Sequence, residues 1–390
     1  MKNGCRSFFV ILIFINLTGV AGLNAQSGSD ELNAIQTVVP FLTIAPDSRA
    51  GAMGDAGVAT SPDIYSMHWN PSKFAFIDGN GGVGISYSPW LRTLVPDINI
   101  AYLAGYKRID KRQVAAASLL YSSLGDIQFT DDLGNLQRTF IPTEFSLDIA
   151  YSRIFGDYFS GGIAFRFIYS NLTGGFSSGG TDTKVGTSFA ADVSGLYMRK
   201  TTLFNRDAVV SAGLNFSNIG SKMNYTTSKE PDFIPMNMRL GGACTVEIDN
   251  YNAITLTTDL NKLLVPTPPK YDTDRNIIDG KNPNVSVPMA ILQSFYDAPG
   301  GLKEELKEIT ISVGAEYWYN KQFALRGGYF YENETKGNRK YFTAGAGFKI
   351  NICAIDFSYL MPVVQNHPLA RTLRLSLSFD FTSPRNASKV

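Results

Sequence analysis

Histidine is almost missing from this chain, with two among 390 residues, and cysteine is little commoner at three. With His68 and His367 alone there are few ways to build acid–base chemistry, because a catalytic base must lie within hydrogen-bond reach of its nucleophile. No C-x-x-C, H-E-x-x-H or P-loop occurs, so the usual zinc and phosphate frames are excluded, and neither metal nor cofactor is expected. Cys5 sits in the leader, while Cys244 and Cys353 fall inside strand patterns. The pairs Gly161-Gly162, Gly174-Gly175 and Gly179-Gly180 read as strand spacing and flexible loop, not as phosphate cradles. Charge is scarce too. Only 18% of residues are charged and the net charge is +1, so no overall field gathers nucleic acid or an acidic partner. Beyond the N-terminus no apolar run reaches eighteen residues, which excludes a transmembrane helix there.

What is abundant is glycine (36), phenylalanine (26) and tyrosine (19), a composition suited to many short strands with aromatic ends. The N-terminus is a different kind of segment. Lys2 and Arg6 precede an apolar run from Phe8 to Val20, and Ala21-Gly22-Leu23-Asn24-Ala25 supplies small residues for cleavage. Residues 1–25 therefore read as a signal peptide, too short in its apolar part for a comfortable span. No cysteine lies near the cleavage site, so lipid attachment there is not expected.

From residue 82 onward the chain alternates with period two. In Phe145–Arg153, Phe145, Leu147, Ile149 and Tyr151 share one face, with Ser146, Asp148, Ala150 and Ser152 on the other. The last segment sets Leu373, Leu375, Leu377, Phe379 and Phe381 against Thr372, Arg374, Ser376, Ser378 and Asp380. Such segments fall near 82–90, 97–107, 112–124, 143–155, 158–170, 186–199 and 206–218. They continue near 236–248, 251–263, 308–320, 322–332, 339–351, 352–360 and 371–382. Each has about the ten residues that a tilted strand needs to cross an apolar band of roughly 25 Å. The first four are the least regular, Gln113–Ser123 above all, and residues 126–141 read as a possible hairpin above the membrane.

Alternation also suits a soluble sandwich, and charge placement separates the two. Asp148, Arg166, Asp192, Arg239, Glu247, Asp259, Glu316, Arg326, Lys349, Asp356, Arg374 and Asp380 all sit on the polar parity. A basic side chain facing lipid at mid-depth costs about 2–4 kcal/mol, whereas the wet face of a sandwich imposes no such rule. Connection lengths agree. Asp110-Lys111, Gly156-Asp157, Asp249-Asn250, Asn320-Lys321 and the join near Asn351 are tight. In contrast, 125–142, 171–185, 219–235, 264–307, 333–338 and 361–370 are longer. Short turns on one rim and long loops on the other are the asymmetry of an outer-membrane barrel. The expected fold is all-β: an antiparallel barrel of about 14 strands over 82–382 in the cell outer membrane, with long extracellular loops and a tail at 383–390.

Two regions stand apart from the strands. Residues 26–81 are rich in small residues and turns, and form either a periplasmic tail or a plug in the lumen. Inward charges such as Arg166, Arg239, Arg326 and Glu316 are expected to pair across the lumen and bond that segment; selecting a solute in an open pore is the alternative. The loop 264–307 opens on a proline-rich turn at Pro266, and its residues 287–296 read as a short helix with Pro288 in the first turn. Met289, Ile291, Leu292 and Phe295 form an apolar cluster there, which with Pro266 is the candidate partner-binding surface. It either covers the barrel mouth or meets another protein.

The chain resembles the FadL-like outer-membrane barrels and, within them, the PorV family of the type IX secretion system. The resemblance is carried by Ala45-Pro46-Asp47-Ser48-Arg49-Ala50-Gly51-Ala52-Met53-Gly54, His68-Trp69-Asn70-Pro71 and Asn218-Ile219-Gly220. The narrower match rests on Asp259-Leu260-Asn261-Lys262-Leu263-Leu264-Val265-Pro266 and the helical insert after it. It implies a carrier without enzymatic activity in the outer-membrane bilayer. Such a carrier meets the large type IX translocon barrel, receives the C-terminal signal domain of exported cargo, and delivers it to a sortase-like surface complex. The superfamily also leaves open a transporter of hydrophobic small molecules. A lipopolysaccharide-modifying esterase is a third reading, which the shortage of histidine disfavours.

Overall fold

Fourteen antiparallel strands close on themselves in the computed structural model, which describes residues 32–381 apart from 93, 94, 96, 131, 132, 134, 176–182, 227–229, 365 and 366. The expected signal peptide at 1–25 and tail at 383–390 lie outside the described residues. In chain order the strands are β1 Gly81–Pro89, β2 Ile98–Arg108, β3 Gln113–Leu124, β4 Ile127–Thr130, β5 Leu136–Phe140 and β6 Thr143–Ile154. Next come β7 Phe159–Asn171, β8 Gly186–Leu203, β9 Arg206–Gly220, β10 Asn237–Glu247, β11 Asn252–Leu263, β12 Lys270–Tyr271 and β13 Ile277–Asp279. The series ends with β14 Thr310–Tyr319, β15 Phe323–Tyr331, β16 Lys340–Ile350, β17 Cys353–Pro362 and β18 Leu373–Asp380. All but β4, β5, β12 and β13 form the barrel, each beside its neighbour in sequence, and β18 returns to β1 from Gly82↔Asp380 to Tyr87↔Leu375. Closure leaves no unpaired edge, the condition for a sheet to cross hydrocarbon.

The fourteen segments read from sequence match the barrel strands within two residues at every end but one: β8 runs on to Leu203. The hairpin expected within 126–141 is β4 paired with β5. On the short-turn rim, Phe204 and Asn205 take φ of 51° and 59° and join β8 to β9, the left-handed pair that a two-residue hairpin requires. Asn320 and Lys321 repeat this at 53° each.

Burial is inverted relative to a soluble protein. Leu147, Ile149, Ile163, Phe165 and Leu256 are exposed on the outer face, while Asp148, Arg166, Asp192, Asp259 and Arg374 are buried on the inner one. The outer residues meet lipid, and the inner ones need polar partners inside.

Those partners come from the segment before β1. Residues 40–76 include four short helices of one or two turns, Pro40–Thr43, Ser48–Gly51, Ser66–Trp69 and Pro71–Phe76, packed within the lumen as a plug. Asp47 caps the second of them by accepting from the Ala50 amide at 2.9 Å and takes the Trp69 indole N–H at 2.6 Å. One flank of the plug is apolar: Ile64, Tyr65, Met67 and Phe74 join Ile100, Tyr102, Tyr106, Val114 and Leu120 in one buried cluster. Strands β2 and β3 therefore face apolar surroundings on both sides, which is why their alternation is faint in the sequence.

Candidate functional site

The lumen is locked by charge on the flank opposite the apolar cluster. Arg49 of the plug donates to both carboxylate oxygens of Glu316 on β14, at 3.0 and 2.8 Å, and reaches Asp63 at 2.9 Å. Glu316 also accepts from Arg326 Nε at 2.7 Å, and Arg326 Nη1 donates to Asp356 at 2.6 Å. A buried carboxylate is stable only with such partners. Asp259 accepts the backbone N–H groups of Gly57 and Val58 at 2.7 and 2.9 Å. Arg166 joins Asp148, Asp192 and Asn218 beside the register shift at Ala191/Val193 in the pairing of β8 with β9. So Arg166, Arg326 and Glu316 pair inside the lumen, and Glu316 holds the plug. Arg239 behaves differently: it donates to the His68 carbonyl at 2.8 Å and lies over the Trp69 ring at 5.1 Å. Among the described residues no carboxylate comes within 4.0 Å of it.

The outer end is built around a second ionic knot. Lys262, at the outer end of β11, bonds Glu305 at 3.0 Å and Glu308 at 2.6 Å. Lys336, in the next long loop, bonds Glu304 at 2.6 Å and Glu308 at 3.0 Å. Asn33 donates to Glu304 at 2.9 Å and to the Pro268 carbonyl at 3.2 Å. One cluster thus ties the start of the plug, the loop after β11 and the loop after β15. Within the same loop Asp297 accepts from the Thr267 amide at 3.2 Å. Burial, with Glu305 and Glu308 nearby, pushes the Asp297 carboxyl up to about 6 despite that bond.

The helix expected at 287–296 spans Val287–Gln293 with Pro288 in its first turn, and a second helix runs Leu302–Lys307. Of the five candidate partner-binding residues, Met289, Leu292 and Phe295 are exposed at 47%, 62% and 45%. Ile291 is half-buried against the main apolar cluster, and Pro266 is buried beneath the loop. The structure brings three of the five to the surface together. Sequence reasoning missed Tyr296, Leu302 and Leu306, also exposed there. It missed the Lys262 knot as well, whose bonded members are 28 to 271 residues apart and show no local signal.

Between plug and outer loops lies a cavity of about 350 Å³, with Trp69, Trp90, Phe330 and Leu263 among its apolar walls and Arg239, Asn237 and Asn261 among its polar ones. His68 is buried within the lumen, its ring edge-on to Trp69, and His367 Nδ1 in the outer loop accepts from the Leu369 amide at 3.1 Å. Among the described residues neither histidine bonds a serine. The sequence does hold one Gly-x-Ser-x-Gly spacing, Gly175-Phe176-Ser177-Ser178-Gly179, in the connection between β7 and β8. A nucleophile elbow needs a strand-to-helix turn, and residues 176–182 of this connection lie outside the described ones. No group of metal-binding side chains occurs among the described residues.

The profile of the family described as type IX secretion system protein PorV matches residues 26–270, more than half of the chain. The chain belongs to the PorV family. Residues 26–270 include the plug and every strand from β1 to β11, so the match covers the plug contacts at Asp259 and Arg239 as well as the start of the long loop. This PorV-family chain is an outer-membrane barrel of the type IX secretion system. No curated protein sequence matches it. Similar solved structures include the Pseudomonas putida toluene transporter TodX, at 11% identity and TM-score 0.49, covering 90% of this chain and 100% of that one. The Ralstonia pickettii toluene transporter TbuX is similar at 11% identity and TM-score 0.46, over 85% and 97%. A Pseudomonas aeruginosa FadL homologue gives 12% identity and TM-score 0.43, over 90% and 99%.

Proposed function

We propose that this barrel is a non-enzymatic carrier. It receives the C-terminal signal domain of exported cargo after passage through the large translocon barrel and presents it to a sortase-like surface complex. The observation that carries the reading is the apolar shelf of Met289, Leu292 and Phe295, standing in water on a loop held by the Lys262 knot. Exposed side chains of that size on a braced support make a docking surface, because little ordering entropy is lost when a partner covers them. The plug counts against solute transport: Arg49, Ser48 and Gly57 bond the barrel wall, and the apolar sector of the lumen is filled by Phe74 and Met67. Ester hydrolysis is disfavoured by the surroundings of His68 and His367, which hold no serine bond among the described residues.

The test is the double substitution Met289→Asp with Leu292→Asp, which charges the shelf and leaves Phe295, whose ring lies 5.9 Å from the Lys262 ammonium, in place. The barrel should remain folded and heat-modifiable while surface attachment of exported proteins falls by tenfold or more. Unchanged attachment with the variant at normal abundance in the outer membrane would sink the assignment.

A further inference from the structure

Three of the charges around the outer cavity are carboxylates, and each already has a partner. Glu308 is held by Lys262 and Lys336, Glu332 by Arg339 at 2.8 Å through both oxygens, and Asp55 by the Tyr341 hydroxyl at 2.5 Å. Those bonds also occupy the cations Lys336 and Arg339. What remains is Arg239, 5% exposed, lining the cavity with a backbone carbonyl, an imidazole and an indole face as its contacts. Asp259 and Asp192 lie farther off, and no carboxylate among the described residues comes within 4.0 Å, so this buried guanidinium can still take one in direct contact, where little water screens the pair. The bond to His68 Nε2, 3.4 Å away, makes that nitrogen an acceptor, so the imidazole is neutral and adds no competing positive charge.

We infer that this cavity takes the C-terminal carboxylate of an exported polypeptide, with Arg239 as the anion-binding group and an apolar last side chain against Trp69, Trp90 and Phe330. The inference rests on the carrier reading given above and names what that carrier grips. Size agrees: about 350 Å³ is at the small end of ligand pockets and suits a chain end rather than a folded domain. So does the lining. Asn237, Asn261 and Thr310 offer hydrogen bonds along one side of the cavity, which peptide amides can satisfy and a plain hydrocarbon chain would leave unpaired. Position agrees as well, since the floor is the plug and the walls are the outer ends of β10, β11, β14, β15 and β16, on the side where exported protein emerges.

The experiment uses the whole protein in detergent micelles. The probe is a fluorescein-labelled peptide of the last ten residues of a cargo signal domain, prepared as the free acid and as the C-terminal amide. Fluorescence polarisation should show the amide binding at least tenfold more weakly to the unaltered protein. Arg239→Gln should bring the acid down to the level of the amide, and Arg239→Lys should keep most of the difference. Amidation changes the ligand alone, so that comparison holds even where an Arg239 variant loosens the plug. Equal binding of acid and amide, no binding of either, or displacement of the acid by palmitate would overturn the inference. An intact signal domain that binds regardless of amidation would leave the carrier reading standing without this site, whereas a domain that fails to bind at all would remove the carrier reading itself.

Discussion

Arg49 of the plug and Glu316 of the barrel wall, 267 residues apart in sequence, meet in a two-pronged ion pair of 3.0 and 2.8 Å inside the lumen. Removing one member leaves the other charged, buried and short of a partner, which costs about 3–5 kcal/mol when a pair is fully enclosed. Arg49→Met should therefore release the plug while the barrel persists. Limited proteolysis should cut residues 32–80 in the variant, with the strands protected and heat-modifiability retained. Glu316→Gln should have a smaller effect, because its amide oxygen still accepts. A plug as protected in Arg49→Met as in the unaltered chain would mean that the apolar flank alone secures it.

Gly328 on β15 faces the plug backbone at Met53 and Gly54. A Cβ at that position would stand 2.2 Å from the Gly54 nitrogen, closer than any real contact. The obstruction is backbone, which has no rotamer to yield. Gly328→Val should displace the Ala52–Gly54 corner at a cost of about 1–3 kcal/mol or more and break the bond from the Gly54 amide to Thr343, now 2.8 Å. Amide hydrogen exchange at Gly54 reads that loss directly, and unchanged protection there would contradict the packing.

The barrel was legible because lipid imposes a rule on every strand: Leu147, Ile149 and Leu256 outside, Asp148, Asp192 and Asp259 inside. Period two and charge parity record that rule locally, so strand ends came within two residues almost everywhere. It faded at β2 and β3, where Ile100, Tyr102 and Val114 face inward against Phe74 and Met67, and both faces look alike. The tertiary contacts left no such trace. A short window of sequence shows that Lys262 is polar, but not that Glu305 and Glu308 come back to it. The shelf was visible in part, since Met289, Leu292 and Phe295 are apolar in a polar loop. Pro266 has the same local character and is buried, because burial in a long loop depends on how that loop folds back.

Leu256 at mid-strand of β11 is 60% exposed, opposite in direction to buried Thr255 and Thr257. Leu256→Lys should lower the equilibrium stability of the barrel in lipid vesicles by about 2–4 kcal/mol, the cost of a basic group at the bilayer midplane. Leu256→Phe, which keeps the face apolar, should change it little. Urea titrations of both variants in the same vesicles make the comparison, and a neutral lysine would mean that this face does not meet lipid.

Asp297 gives the outer loop a pH dependence of defined sign. Its carboxyl titrates at about 6 in the folded loop against 3.8 for the free group, because it is buried beside Glu305 and Glu308. Between those values the folded loop holds a proton that the opened loop would lose, so closure is favoured at low pH and weakens as pH rises through 6. Above that, the dependence levels off. The charged groups facing it are Glu305, Glu308 and, through them, Lys262. Asp297→Asn keeps an oxygen to accept from the Thr267 amide, now 3.2 Å away, and removes the titration. Exchange of that amide, corrected for its intrinsic pH dependence, should show opening that increases from pH 4 to pH 6.5 in the unaltered protein and stays flat in the variant. A variant that retains the slope would place the titrating group elsewhere in the knot.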